Sequence, residues 1–288
     1  MNRRLRANIT TIYLMGFCHS FMVVIPVFVP LLQRYGLSMS EVMQTQALFA
    51  LTVALCEVPS GYFADLWGRK QAIIVGSALN GCGFLSLLWA DSFVDFLLYE
   101  FLVGLGISLI SGADLAMLYD TETQLVEQGG GGAGASKSLS RLIAIEHGAS
   151  GVAGIVASAL LLTADMGALL AVQATVGFVP LLLSVRLVEP ARPQLQLEHR
   201  ANTRRVFEML LFGKPVVLWT TLAIVCFGLL AVYAFWLYQK HWELAGIPVP
   251  WFGYIWAAFA LIVSAAARYA GAIEQRLGWR GLMLLLVV

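Results

Sequence analysis

Charge is scarce in this sequence. Only 12% of its 288 residues are Asp, Glu, Lys or Arg, while 59% are hydrophobic. A soluble globular domain carries about twice that charged share, because it must cover its surface with polar groups. The net charge of +1 gives no basic surface for a nucleic-acid partner, and none is expected. Cysteine is also sparse. Cys18, Cys56, Cys82 and Cys226 all lie inside apolar runs without metal-ligand spacing, so they read as small packing residues. No Gly-Lys-Ser/Thr follows the glycine tract at 129–134, which makes that tract a flexible linker rather than a phosphate cradle. The apolar runs lack the alternation of a membrane β-barrel. The run behind Met1–Arg6 is too long for a signal peptide and has no clear cleavage site. Nor is there a cluster of His, Asp or Ser with triad or metal spacing, as a membrane enzyme would need. No enzyme activity and no cofactor are expected, and no attached soluble domain supports a sensor or receptor.

What remains is a series of runs that reach the ~20 apolar residues needed to cross a ~30 Å hydrocarbon core. Backbone groups in lipid must satisfy one another, so such runs are helices. The fold class is an all-α polytopic membrane protein. The runs predict spans at about 9–31, 42–64, 71–90, 94–118, 142–163, 167–187, 216–238 and 252–272, with a ninth starting near Leu282. Basic residues divide unevenly between the two sets of span ends. One set holds 16 of the 18, and only Arg34 and Lys240 fall on the other. The positive-inside rule makes the N-terminus cytoplasmic. The polar stretch 189–215, with Pro190 and Pro193, then separates a six-helix bundle (1–188) from an incomplete C-terminal bundle (216–288).

A weak internal repeat supports this division. Gly61 and Gly68 are seven residues apart at the end of span 2, as are Gly271 and Gly278 at the end of span 8. The offset of 210 residues equals six helices, and it places Lys70 opposite Arg280. Parallel six-helix repeats belong to one large class of transporters. The offset implies a complete chain of about 400 residues and twelve helices. On that expectation the sequence stops seven residues into span 9.

The turn between spans 2 and 3 reads Gly61-Tyr62-Phe63-Ala64-Asp65-Leu66-Trp67-Gly68-Arg69-Lys70. It resembles the signature of the major facilitator superfamily, with both glycines, the acid and both bases in place. Gly68 permits a tight turn after a helix, and Gly61 would let another helix approach closely. The resemblance implies a fold of six plus six helices and a monomeric secondary transporter when complete. It also implies that Asp65 and Arg69 form a charge cluster with an acid at the inner end of span 4, a role that Asp120 can fill, and that the cluster latches the outward-facing state. Glu57, eight residues before Asp65 on one face, would support that latch. Two features depart from the drug-efflux members. Glu100 stands four residues before Gly104, where many relatives carry arginine. Span 5 offers Gly148, Gly151 and Gly154 without the proline of the drug antiporters. The stretch Ser111-Gly112-Ala113-Asp114, followed by Tyr119-Asp120, looks like a bacterial subgroup.

Ionisable residues inside spans usually face an interior or a water-filled pathway. His19, Glu100 and Asp114 are the candidates for a substrate or proton pathway. Glu100 and Asp114 are 14 residues apart, which on one continuous helix puts them within about 40° of the same face. Glu146 and His147 open span 5 near the cytoplasm and point about 100° apart, so they are not expected to act together. Tyr233, Phe235, Trp236 and Tyr238, with Trp251, Phe252, Tyr254 and Trp256, form either an interfacial belt or an aromatic pocket. These features predict a transporter of a small molecule by alternating access, in the inner (plasma) membrane of a bacterium. Proton-coupled efflux is the leading mode, with proton-symport uptake and a fragment inactive on its own as alternatives.

Overall fold

A computed structural model describes residues 2–129, 134–190, 213 and 215–287. Residues 130–133 of the glycine tract, and 191–212 and 214 of the 189–215 stretch, lie outside the described residues. Among the described residues there is no strand. The helices are α1 (Asn2–Ser20), α2 (Phe28–Arg34), α3 (Met39–Trp67), α4 (Arg69–Ser86), α5 (Phe93–Ile110), α6 (Ala113–Glu127), α7 (Ala135–Thr163), α8 (Met166–Gly177), α9 (Val179–Ser184), α10 (Pro215–Leu244) and α11 (Phe252–Val287). Six stretches among the described residues are long and apolar enough to cross a membrane: Leu5–Arg34, Met39–Trp67, Phe93–Glu127, Ser136–Thr163, Met166–Ser184 and Val249–Tyr269. The predicted third span corresponds to α4, which is more polar. It carries Arg69, Lys70, Gln71, Ser77 and Asn80, and it buries Ser77 and Asn80 against its neighbours.

Several spans are not single helices. The first breaks after Ser20 and resumes through a 3-10 turn at Ile25–Val27, which carries Pro26. The fourth breaks at Ser111 and Gly112, where Gly112 takes φ 79. Helix starts are set by caps. Ser38 with Glu41, and Ser92 with Asp95, form reciprocal capping boxes at α3 and α5, each satisfying backbone donors that the first turn leaves open. These caps move the starts a few residues outward from those read from hydropathy.

The chain divides into two compact units, Met1–Ala191 with Pro248–Val288, and Arg192–Ile247. The second unit holds α10. In the first, α4 packs on α5 and α8, α3 on α5, α1 on α6, α7 and α9, and α7 on α11. Glycines set the closest approaches. A Cβ on Gly76 of α4 would fall 2.7 Å from the Gly106 carbonyl oxygen of α5, and one on Gly154 of α7 would fall 2.5 Å from the Gly253 carbonyl oxygen of α11. Helices in lipid associate through such small-residue contacts and through hydrogen bonds. Two bonds accompany the second contact. Trp256 Nε1 donates to Ser150 Oγ (2.9 Å), and Ser264 Oγ donates to the Ala144 carbonyl (2.7 Å). Phe252 is fully buried and Trp256 is anchored by that bond, so these two rings pack within the protein rather than in a belt at its surface.

Inside α11 the backbone leaves helical geometry at Gly278, with φ 63 and ψ 174. Gly68, its counterpart in the repeat, has φ 112 and ψ 146. Both positions use a positive φ that costs glycine little. Five other glycines among the described residues also take a positive φ.

Candidate functional site

Gly68 joins α3 to α4, and its N–H still donates to the Ala64 carbonyl at 3.1 Å. The chain reverses there without losing the last bond of α3. Arg69 consequently begins α4 with its side chain turned toward α6. Its guanidinium pairs with the Asp120 carboxylate and donates to the Ala116 carbonyl at 2.7 Å. The two side chains are 17% and 22% exposed, so the pair is only partly wet. Asp65 lies half-buried on the last turn of α3, four residues before Arg69.

A further acid joins this cluster. Glu189 accepts from the backbone N–H of Arg69 at 3.0 Å and of Lys70 at 2.9 Å. Its carboxylate caps the first turn of α4, where open donors and the helix dipole favour negative charge. Lys70 Nζ donates to the Val185 carbonyl at 2.8 Å. Asn8 of α1 brackets Val188 with its carboxamide, accepting from its N–H at 2.9 Å and donating to its carbonyl at 2.7 Å. The end of α9 is thereby tied to α1 and α4. An acid directly after an apolar span, among many bases, was the sequence signal for Glu189.

Two members of the predicted signature stand apart. Gly61 is exposed, and the described residues place no atom within 4 Å of a Cβ built there. The expected close helix approach is therefore not made among the described residues. Glu57 is exposed and about 12 Å along α3 from Asp65; the structure does not bring it to the cluster.

The pathway candidates are also redistributed. The expectation that Glu100 and Asp114 share one helical face does not hold, because the break at Ser111 and Gly112 separates α5 from α6. Glu100 is 4% exposed. Its carboxylate accepts from Gln46 of α3, and it is enclosed between helices rather than open at a mouth. Asp114 begins α6, half-buried, and accepts from the Leu115 N–H at 2.6 Å. His19 sits one residue before the end of α1, with a ring nitrogen 3.5 Å from Ser77 Oγ of α4.

Asp114 has an electrostatic neighbour in Glu146 of α7. The sequence places Glu146 at the cytoplasmic start of span 5. In the structure α7 begins at Ala135, about 16 Å earlier. The stretch Ser136 to Arg141 looks like a loop by polarity, but its groups are accommodated in a helix. Ser138, for example, is buried and donates to Glu122. Glu146 lies about three turns into α7, and its carboxyl interacts electrostatically with Asp114. It also lies over Gly16 of α1, where an added Cβ would be 3.4 Å from Glu146 Oε1. Among the described residues, no cation pairs with Asp114 or Glu146. Three helices thus bring together two acids, a glycine and, one turn along α1 from Gly16, His19. The arrangement can hold a proton or a cation, since intramembrane acids mark such pathways. A discontinuous span with its second half starting at the site is a recurrent feature of transporter binding sites.

Comparison with known proteins bears on the whole chain. A family model described as Major Facilitator Superfamily matches residues 11–288. The chain is also similar to an uncharacterized MFS-type transporter, YfnC, of Bacillus subtilis (strain 168). The two are 32% identical over 109 residues, which cover 34% of this chain and 26% of that relative. The match thus spans about a quarter of the relative's length.

Proposed function

The chain belongs to the major facilitator superfamily, a family of membrane transporters, and we propose that it moves a small molecule by alternating access with protons as the coupling ion. The observation that carries this reading is a pair of acids on separate helices, Asp114 and Glu146, that interact electrostatically and have no cation paired with them among the described residues. In this role the acids exchange a proton with whichever side the pathway faces. Gly16 leaves room for the Glu146 carboxyl against α1, and His19 supplies a second exchangeable group near the break of the first span. Outward transport is the favoured direction, and the bias of basic residues puts the N-terminus in the cytoplasm.

The Arg69 cluster has a different role in the same cycle. Arg69, Asp120 and Glu189 hold the start of α4 to α6 and to the chain just after α9, with Asp65 on the last turn of α3 one helical turn before Arg69, and opening the inner side requires that arrangement to loosen. Transport in proteoliposomes under an imposed pH gradient, screened over a panel of candidate substrates, tests the coupling. Gradient-driven transport should depend on Glu146 and Asp114, while exchange without a gradient should survive their neutralisation. Gradient-driven transport intact in Asp114→Asn/Glu146→Gln would overturn the assignment.

A further inference from the structure

Helices α7 and α11 are antiparallel, since Gly154 meets Gly253, Ser150 meets Trp256 and Ala144 meets Ser264 in turn. The first end of α7 and the last turns of the Val249–Tyr269 span therefore lie at the same membrane surface. At that end a crevice of about 480 Å³ opens between them, lined by Arg141 and Ile145 of α7 and by Leu261, Ser264, Arg268 and Tyr269 of α11. Two cations from two helices face one space. Among the described residues neither has a carboxylate partner, and no acid lines the crevice. Two like charges facing one crevice favour an anion between them.

The lining also changes along the membrane normal. Arg268 and Tyr269 stand at the end of the span, while Leu261 is two turns further in. Arg141 and Ile145 repeat the order on α7. The crevice is thus cationic at the surface and apolar toward the bilayer centre. Guanidinium groups offer paired donors that match phosphate oxygens, and the apolar wall suits the first carbons of an acyl chain.

We propose that this crevice binds an anionic phospholipid, with its phosphate between Arg141 and Arg268 and its chain against Ile145 and Leu261. Lipid binding here involves neither Asp114 nor Glu146, which do not line the crevice, and does not depend on the direction of transport. Its ligand chemistry, a phosphate, is shared by free phosphate; the apolar wall favours the lipid.

The test is native mass spectrometry of the delipidated, purified chain titrated with phosphatidylglycerol or phosphatidylcholine. The wild type should retain phosphatidylglycerol in preference to phosphatidylcholine. Each of Arg141→Gln and Arg268→Gln should weaken that retention roughly fivefold, the effect of one basic residue at an anionic surface. Arg186→Gln, a cation outside the crevice, should leave retention unchanged. Arg141→Lys/Arg268→Lys keeps the charge and should retain more lipid than the glutamine double variant, which separates charge loss from misfolding. Equal retention by wild type and glutamine variants would overturn the proposal. So would inorganic phosphate that binds as tightly as phosphatidylglycerol and displaces it, since the site would then take a soluble anion.

Discussion

At Asp120 a carboxylate meets a guanidinium, and that guanidinium also reaches the Ala116 carbonyl. At Glu189 a carboxylate meets two backbone donors. At Asp114 and Glu146, by contrast, two carboxylates on separate helices feel each other's charge. The first region compensates Asp120 and Glu189 and ties the start of α4 to α6 and to the chain just after α9, so its charges act as fasteners. The second leaves its acids without a cation among the described residues, which leaves them free to take a proton or a ligand. Both regions are built of aspartate and glutamate, and α6 contributes to each, so composition does not separate them. Their partners do.

The largest expected effect breaks the second region. Asp114→Asn/Glu146→Gln should reduce gradient-driven transport by roughly 5–150-fold, the range for a coupling free energy of ~1–3 kcal/mol. Flux measured with and without a pH gradient in proteoliposomes checks this. Protein level and helix content should change little, because neither acid pairs with a cation among the described residues and Asn at position 114 still offers an oxygen to the Leu115 N–H.

The fasteners should behave in the opposite way. Asp120→Asn strands Arg69 in a partly buried position and should lower stability. The loss should stay below the ~3–5 kcal/mol of a fully buried pair, given side chains 17% and 22% exposed. Thermal unfolding in detergent reads it. Arg69→Gln combined with Asp120→Asn should cost less than the sum of the two single changes; additive losses would mean that the pair is not a unit.

A third change probes packing. Gly154→Leu drives a side chain into the Gly253 backbone and should cost ~1–3 kcal/mol, as overpacking does. A cysteine pair at Ser150 and Trp256 should cross-link less efficiently in that background than in the wild type. The smallest effect belongs to Glu189→Gln, which keeps one of two capping acceptors and loses the charge. Its cost should be ~1 kcal/mol or less, read as faster hydrogen exchange in the first turn of α4 with transport largely retained.

Much of the fold was legible because lipid leaves few alternatives. Long apolar runs must be helices, and the turn at Gly68 with its basic neighbours announced the junction of α3 and α4. The pairing of Arg69 with Asp120 agrees with the cluster that the family resemblance implied. Breaks within spans were harder to see, because hydropathy records side chains and not backbone geometry. Ser111-Gly112 carried the signal, since such pairs often kink helices, yet the run around it is apolar without interruption. Glu146 was visible as an intramembrane acid, but its helix starts seven residues earlier than the run predicts, because Ser136 to Arg141 has the polarity of a loop. Gln46 and Glu189 were not identified at all. Each meets its partner across 54 or about 120 residues of sequence, and only packing brings those partners together.

One measurement tests the contrast most directly. A pH-sensitive dye inside proteoliposomes reports proton movement when a transported substrate is added outside. Wild-type protein and Glu189→Gln should both move protons with substrate. Asp114→Asn/Glu146→Gln should exchange substrate while moving none. Proton movement undiminished in that double variant, with substrate exchange intact, would contradict the assignment of coupling to the paired acids.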